Sequence, residues 1–283
     1  MGFKDILLQI DDSRGRDSRL NLAVDIARRQ GAQLTGLFAL EPLDLSGLVA
    51  PSGADIATVQ ALDDIRERYR AQRRAAGDRL RAGFEDATRR AGIASEWRAL
   101  EGDPAELAIH EARYADLIIL GQSDPDEPLS RADIPGAVLL GAGRPILVIP
   151  FIGSETIGRN VLVAWRTTRE AARAVNDALP FLTAADSVTV LTINPERDGD
   201  GQPDRSTAEI ARHLARHGIE AEASHIDAAD IEVGEALLSR AADLDSDLIV
   251  MGGYGHSRLR EFALGGTTRT LLQHMTVPVL LSH

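Results

Sequence analysis

The chain repeats itself. KDILLQIDDSRG, starting at Lys4, and RNVLVAWRTTRE, starting at Arg159, both read as an aliphatic run, a short polar turn and the opening of an amphipathic segment. ADLIILGQSD, from Ala115, matches SDLIVMGGYG, from Ser246. GRPILVIP, from Gly143, matches TVPVLLSH, from Thr276. Units that recur in the same order predict two copies of one folding plan. The small, polar stretch from Phe151 to Gly158 separates them, so the expected domains are 1–150 and 158–283.

Within each copy, short aliphatic runs alternate with longer segments of helical period. In the first copy strands are expected at 4–10, 33–40, 93–99, 116–120 and 145–149, with helices at 16–30, 58–91, 103–113 and 134–142. In the second, strands are expected at 159–164, 187–193, 220–226, 247–251 and 277–281, with helices at 168–182, 204–217, 231–244 and 266–274. The segments 41–55 and 194–204 carry no period and read as loops. Strand–helix alternation predicts parallel sheets with helices on both faces. Runs that are apolar at every position fit strands buried on both sides.

The densest chemical signal is Asp247 to Leu281. A short aliphatic run ends in Gly252, Gly253 and Gly255. Gly265 and Gly266 follow nine residues later, then Thr267, Thr268, a helix-like segment and a last aliphatic run. Glycines let the backbone approach a ligand without a Cβ in the way. The first N–H groups of a helix have no intrahelical partner and carry partial positive charge. The pattern therefore reads as an anion site of the kind that holds phosphate. Thr267 or Thr268 would add a hydroxyl donor or simply cap the helix. Two ordinary turns are the plainer alternative.

Bulk properties narrow the classes. The net charge is −12, with 44% hydrophobic and 26% charged residues. That composition supports folded cores and argues against a nucleic-acid partner, which needs a basic surface. There is no cysteine, which excludes disulfides, thiolate metal sites and thiol catalysis. The opening MGFKDILLQIDDS reads as a first strand rather than a leader. No apolar run reaches the ~20 residues of a membrane span, so a cytoplasmic protein is expected.

Strand, Gly252-x-x-Gly255, nine residues, Gly265-Gly266, helix, strand resembles the nucleotide-binding signature of the universal stress protein family. The resemblance covers nearly the whole chain. It implies an α/β fold of two tandem Rossmann-like, doubly wound domains, each with a five-stranded parallel sheet. It also implies that the final strands, Pro145–Pro150 and Val277–Leu281, are candidate pairing edges, within the chain as a pseudo-dimer or between chains as a homodimer. The implied role is an ATP-binding regulator of the stress response, the ligand being ATP, AMP or ADP, with or without Mg2+. The alternatives are a nucleotide-free dimerising scaffold and a slow ATP-hydrolysing enzyme.

The two copies match the family unequally. An aspartate after the first strand is expected to contact the adenosine. It is Asp11 in the first copy and Arg166 in the second. The second copy keeps Gly252, Gly255 and Gly265 but has Gly266 where nucleotide-binding members have Ser or Thr. The first copy keeps only Gly121, with Asp124, Ala132 and Asp133 at the positions of Gly255, Gly265 and Gly266. Carboxylates there would repel a triphosphate, so the first copy reads as degenerate and the second as the binding domain. Ala164, Ile193 and Met251, at strand ends, are further implied contacts, Ile193 through its backbone; each also reads as core. Arg166 reads equally as a cation for phosphate or base and as a surface arginine paired with Glu170. His256, Ser257, Arg258 and Arg260 lie between the glycine pairs, as phosphate ligands or as a solvent-facing loop.

No phosphate-loop lysine, nucleophile elbow or zinc-protease motif is present. No base for ATP hydrolysis is identifiable, so at most weak turnover is expected. His213 and His217 are spaced for one helix face, without a third ligand nearby.

Overall fold

The computed structural model describes residues 2–43, 56–123, 133–194, 205–253 and 266–283. Gly255, Gly265, Asp124, Ala132 and the segment 256–260 lie outside the described residues, as do most of 41–55 and 194–204.

The first half contains β1 (Asp5–Ile10), α1 (Arg16–Gln30), β2 (Gln33–Leu40), α2 (Ile56–Ala91), β3 (Ser95–Glu101), α3 (Pro104–Glu111), β4 (Leu117–Gly121), α4 (Ile134–Gly141) and β5 (Ile146–Ile149). The second contains β6 (Asn160–Ala164), α5 (Arg169–Asp177), α6 (Leu179–Leu182), β7 (Ser187–Ile193), α7 (Ser206–Ala215), β8 (Ala221–Ile226), α8 (Val233–Asp243), β9 (Leu248–Gly252), α9 (Gly266–His274) and β10 (Val279–Ser282). The single helix expected at 168–182 is two, α5 and α6. Ala178 joins them, and Pro180 lies in the first turn of α6, where its missing N–H costs nothing.

The strands form one ten-stranded sheet in the order β3-β2-β1-β4-β5-β10-β9-β6-β7-β8. Each half contributes five strands, and the two sets join through the final strand of each half, β5 and β10. Every pairing within a half is parallel, and β5 meets β10 antiparallel, with Val148 opposite Val279, Leu147 opposite Leu280 and Ile146 opposite Leu281. The reason is burial. Both terminal strands are buried and apolar but for Ser282 at the end of β10, and each would be an unpaired edge without the other. The outer strands β3 and β8 carry Glu96, Arg98, Glu222 and His225, largely exposed or half-buried, which blunts those edges.

Two hydrophobic layers cover the sheet. One packs α1, α5, the C-terminal part of α2 and α7 on one face, the other α3, α4, α8 and α9 on the opposite face. A small device recurs in both halves. Asp116, just before β4, accepts the backbone N–H groups of Lys4 and Asp5 at 2.7 and 3.1 Å. Asp247, just before β9, accepts those of Arg159 and Asn160 at 2.9 Å each. Each carboxylate satisfies amides that open the first strand of its half.

Candidate functional site

In the second half β6 lies between β9 and β7, so the crossovers leave in opposite directions from β6. Ligands of open α/β sheets bind at such a switch point, outside the carboxyl ends of the strands. The register puts Ala164 beside Met251 and beside Leu191, two residues before Ile193. Ala164, Ile193 and Met251 share the face covered by α8 and α9. These three expected contacts therefore lie together at the switch point, and all three also pack against the core.

Gly252 ends β9 in a tight place. A Cβ there would stand 2.5 Å from the Ala171 nitrogen and 2.6 Å from the Glu170 carbonyl carbon. Only glycine lets the first turn of α5 lie this close to the strand. Gly253 meets the other half in the same way, since its Cβ would be 2.5 Å from Leu139 Cδ2 on α4. Gly266, Thr267 and Thr268 form the first turn of α9. Gly266 is exposed, Thr267 half-buried and Thr268 buried, so Thr267 is the hydroxyl closer to solvent. Glu232 brings a carboxylate to 4.0 Å from the position of a Gly266 Cβ.

Arg166 is exposed and its backbone carbonyl accepts from Thr168. It does not pair with Glu170. That carboxylate is buried, its Oε1 accepts from Arg169 Nε at 2.5 Å, and its Oε2 has no hydrogen-bond partner. Burial pushes the Glu170 carboxyl up. The hydrogen bonds of Arg169 and Thr168 outweigh this and leave it below the usual carboxylate range.

The first half shows the same ground filled. Arg19, from the first turn of α1, lies buried on Gly121, where any Cβ would collide with its guanidinium. It donates to Asp11 Oδ1 at 2.6 Å, and the Ser13 hydroxyl and amide also donate to that oxygen. Burial pushes the Asp11 carboxyl up, and Arg19 and Ser13 pull it further down, to below its usual range. Asp133 occupies the N-terminus of α4, where its Oδ1 accepts from Gly136 N at 3.0 Å. An internal cation thus covers the strand-end glycine, and an internal carboxylate takes a helix N-terminus that an anion would otherwise meet. The polarity is reversed between halves, Asp11 and Arg19 in one against Arg166 and Glu170 in the other. Arg19 was not evident in the sequence. An arginine one turn into an amphipathic helix reads as a surface residue; the signal that could have found it is the aspartate eight positions earlier at a strand end.

A cleft of about 190 Å³ opens between α1 and α2 of the first half, on the sheet face opposite Ala164 and Met251. Its floor includes Leu8, Ile10 and Leu20, and Arg16, Arg19 and Arg79 stand around it. His213 and His217 bring their rings to 5.0 Å, both exposed. Among the described residues no group of three or more His, Asp or Glu is placed to hold a metal ion. Among them, too, no helix is long and apolar enough to cross a membrane.

The family model described as "Universal stress protein family" matches the chain twice, over residues 2–150 and 158–283. Among curated proteins, a universal stress protein of Synechocystis is 41% identical over 46 residues, a match that spans 16% of each protein. Among solved structures, a universal stress protein from Archaeoglobus fulgidus superposes with a TM-score of 0.72 at 18% identity, covering 98% of this chain and 97% of that one. A putative universal stress protein from Pseudomonas aeruginosa gives 0.57 at 17% identity, covering 99% and 93%. At these identities the structural likeness establishes the Rossmann-like fold alone, and the double family match establishes descent: the chain belongs to the universal stress protein family, as a tandem of two such units.

Proposed function

We propose that this protein is a regulatory binder of adenine nucleotide, with ATP, AMP or ADP held by the second half and none by the first. The observation that supports this most is the contrast at the strand-end glycines. At Gly121 the space is taken by a cation, Arg19, held on Asp11; at Gly252 it is taken by the backbone of α5, and Arg166, at the position of Asp11, is exposed. In this reading the adenine meets Ala164, the Ile193 backbone and Met251. The phosphates meet Gly252, Gly255, Gly265, Gly266 and the Thr267 hydroxyl, with Thr268 supporting the turn from within. Arg166 supplies a cation in place of the aspartate that would contact the adenosine. Mg2+ would accompany the phosphates as part of the ligand. The domains are 1–150 and 158–283, the protein acts in the cytoplasm in the stress response, and turnover of ATP is weak or nil.

The test is calorimetric titration of the intact chain with ATP, beside Gly255→Asp, which copies the residue of the first half into the second. Micromolar binding that the substitution abolishes supports the reading. No binding by the intact chain rejects it. The second reading is then favoured, a nucleotide-free scaffold in which Glu232 beside Gly266 and Arg166 at the strand end mark a site given up.

A further inference from the structure

We propose that the cleft between α1 and α2 is a second binding site, separate from the nucleotide position, and that it takes a small aromatic acid. Three observations carry this.

The first is shape. Leu8 and Ile10 of β1, Leu20 of α1 and Ala76 and Leu80 of α2 form the apolar part of an open cleft of about 190 Å³, whose lining also holds the carboxylates of Asp12 and Asp17 beside the arginines. An apolar cavity of roughly 150 Å³ takes a benzene ring, so this space is enough for one ring system with a short substituent. Native helix–sheet layers are close-packed, so an open space of this size between two helices is itself unusual.

The second is an internal template. Ile6 pairs with Leu117 on β4, and Val161 pairs with Leu248 on β9, so Ile10 and Trp165 occupy corresponding positions of the two halves. Where the first half has an isoleucine lining a cleft, the second has an indole packed against the core on the same sheet face. The indole shows the size of aromatic group that this strand position carries on that face in the second half.

The third is charge. Arg16 is paired with Asp17, Arg19 with Asp11, and Asp12 with Arg73. Arg79 lines the same cleft, is exposed, and has no ion pair or hydrogen bond among the described residues. A guanidinium at the mouth of an apolar pocket recognises a carboxylate whose body goes inside. In a chain of net charge −12, a free cation beside apolar surface is a specific invitation to one acid group rather than a general attraction for anions.

The experiment uses the full chain and indole-3-acetate as the probe, with ligand-observed NMR and calorimetry. The expected result is saturable binding that indole-3-acetamide, the neutral analogue, shows at least about fivefold more weakly. Arg79→Gln should remove the preference for the acid. Gly83→Phe should block both compounds, because a Cβ at this lining position meets nothing within 4 Å and the ring can enter the gap without displacing the fold. Unchanged melting temperature confirms that each variant folds. Excess ATP should leave probe binding unchanged. The proposal is overturned by an absence of saturable binding up to roughly 10 mM, by binding that both variants leave intact, or by displacement with ATP.

Discussion

The side-chain amide of Gln122 donates to the carbonyls of Leu272 and Gln273 at 3.0 and 3.1 Å, and so caps the last turn of α9 from the opposite half of the chain. Its oxygen accepts from Phe151 N at 3.1 Å. Gln122 follows Gly121, the one glycine of the phosphate signature that the first half retains. The residue after that glycine thus holds the helix that opens with Gly266, Thr267 and Thr268 in the other half.

Gln122→Ala should therefore destabilise the protein by about 1–3 kcal/mol, since it leaves the buried Leu272 carbonyl without this donor. Thermal unfolding gives the size. Amide exchange gives the location, with protection lost first in the C-terminal turn of α9.

Arg19→Met should cost about 2 kcal/mol at pH 7. Removing one member of a buried pair is expensive, and Asp11, with its side chain one-third exposed, recovers part of the loss from water. The pH dependence has a fixed sign. The folded Asp11 carboxyl lies below its unfolded value, so its contribution is present above that value, near pH 4, and is lost as pH falls through the lower folded value. Denaturant titrations of the two proteins should differ at pH 7 and converge below pH 4. A difference that stays constant into acid would mean that Arg19 acts by packing alone.

Gly252→Ala should destabilise by about 3 kcal/mol or more, because the added carbon meets backbone of α5 that cannot turn aside. Gly121→Ala should cost less, because it meets only the end of the Arg19 side chain, which can rotate away. Equal losses of unfolding free energy would refute this ranking.

Glu232→Gln should tighten ATP binding by about two- to fivefold, by removing a negative charge beside Gly266 and the start of α9. The gain should shrink as salt is raised, since the group is exposed. Calorimetry at two ionic strengths measures both.

Much of this architecture was legible in the chain. Uninterrupted aliphatic runs such as Leu117–Leu120 and Leu248–Met251 fit strands buried on both faces, and their alternation with helical segments pointed to parallel pairing within each copy. The break at Ala178 was not, because the apolar period runs through it and Pro180 falls where a new helix can start. The site was read in part. Ala164, Ile193 and Met251 come together because strand ends in a parallel sheet are neighbours by construction. The burial of Arg19 and Glu170 could not be foreseen, because periodicity describes which face of a helix turns inward but not how closely its first turn approaches a glycine on another strand.

The antiparallel meeting of β5 and β10 has a further consequence for stoichiometry. Two separate chains joined along such an edge part on dilution and can exchange one partner for another. Here the join lies inside one covalent molecule, and its effective concentration does not depend on how much protein is present. The half with Arg19 on its glycine cannot be traded for a copy with that glycine bare. The ratio of one half to the other is one to one at every dilution, and the molecule keeps its asymmetry for as long as it stays folded.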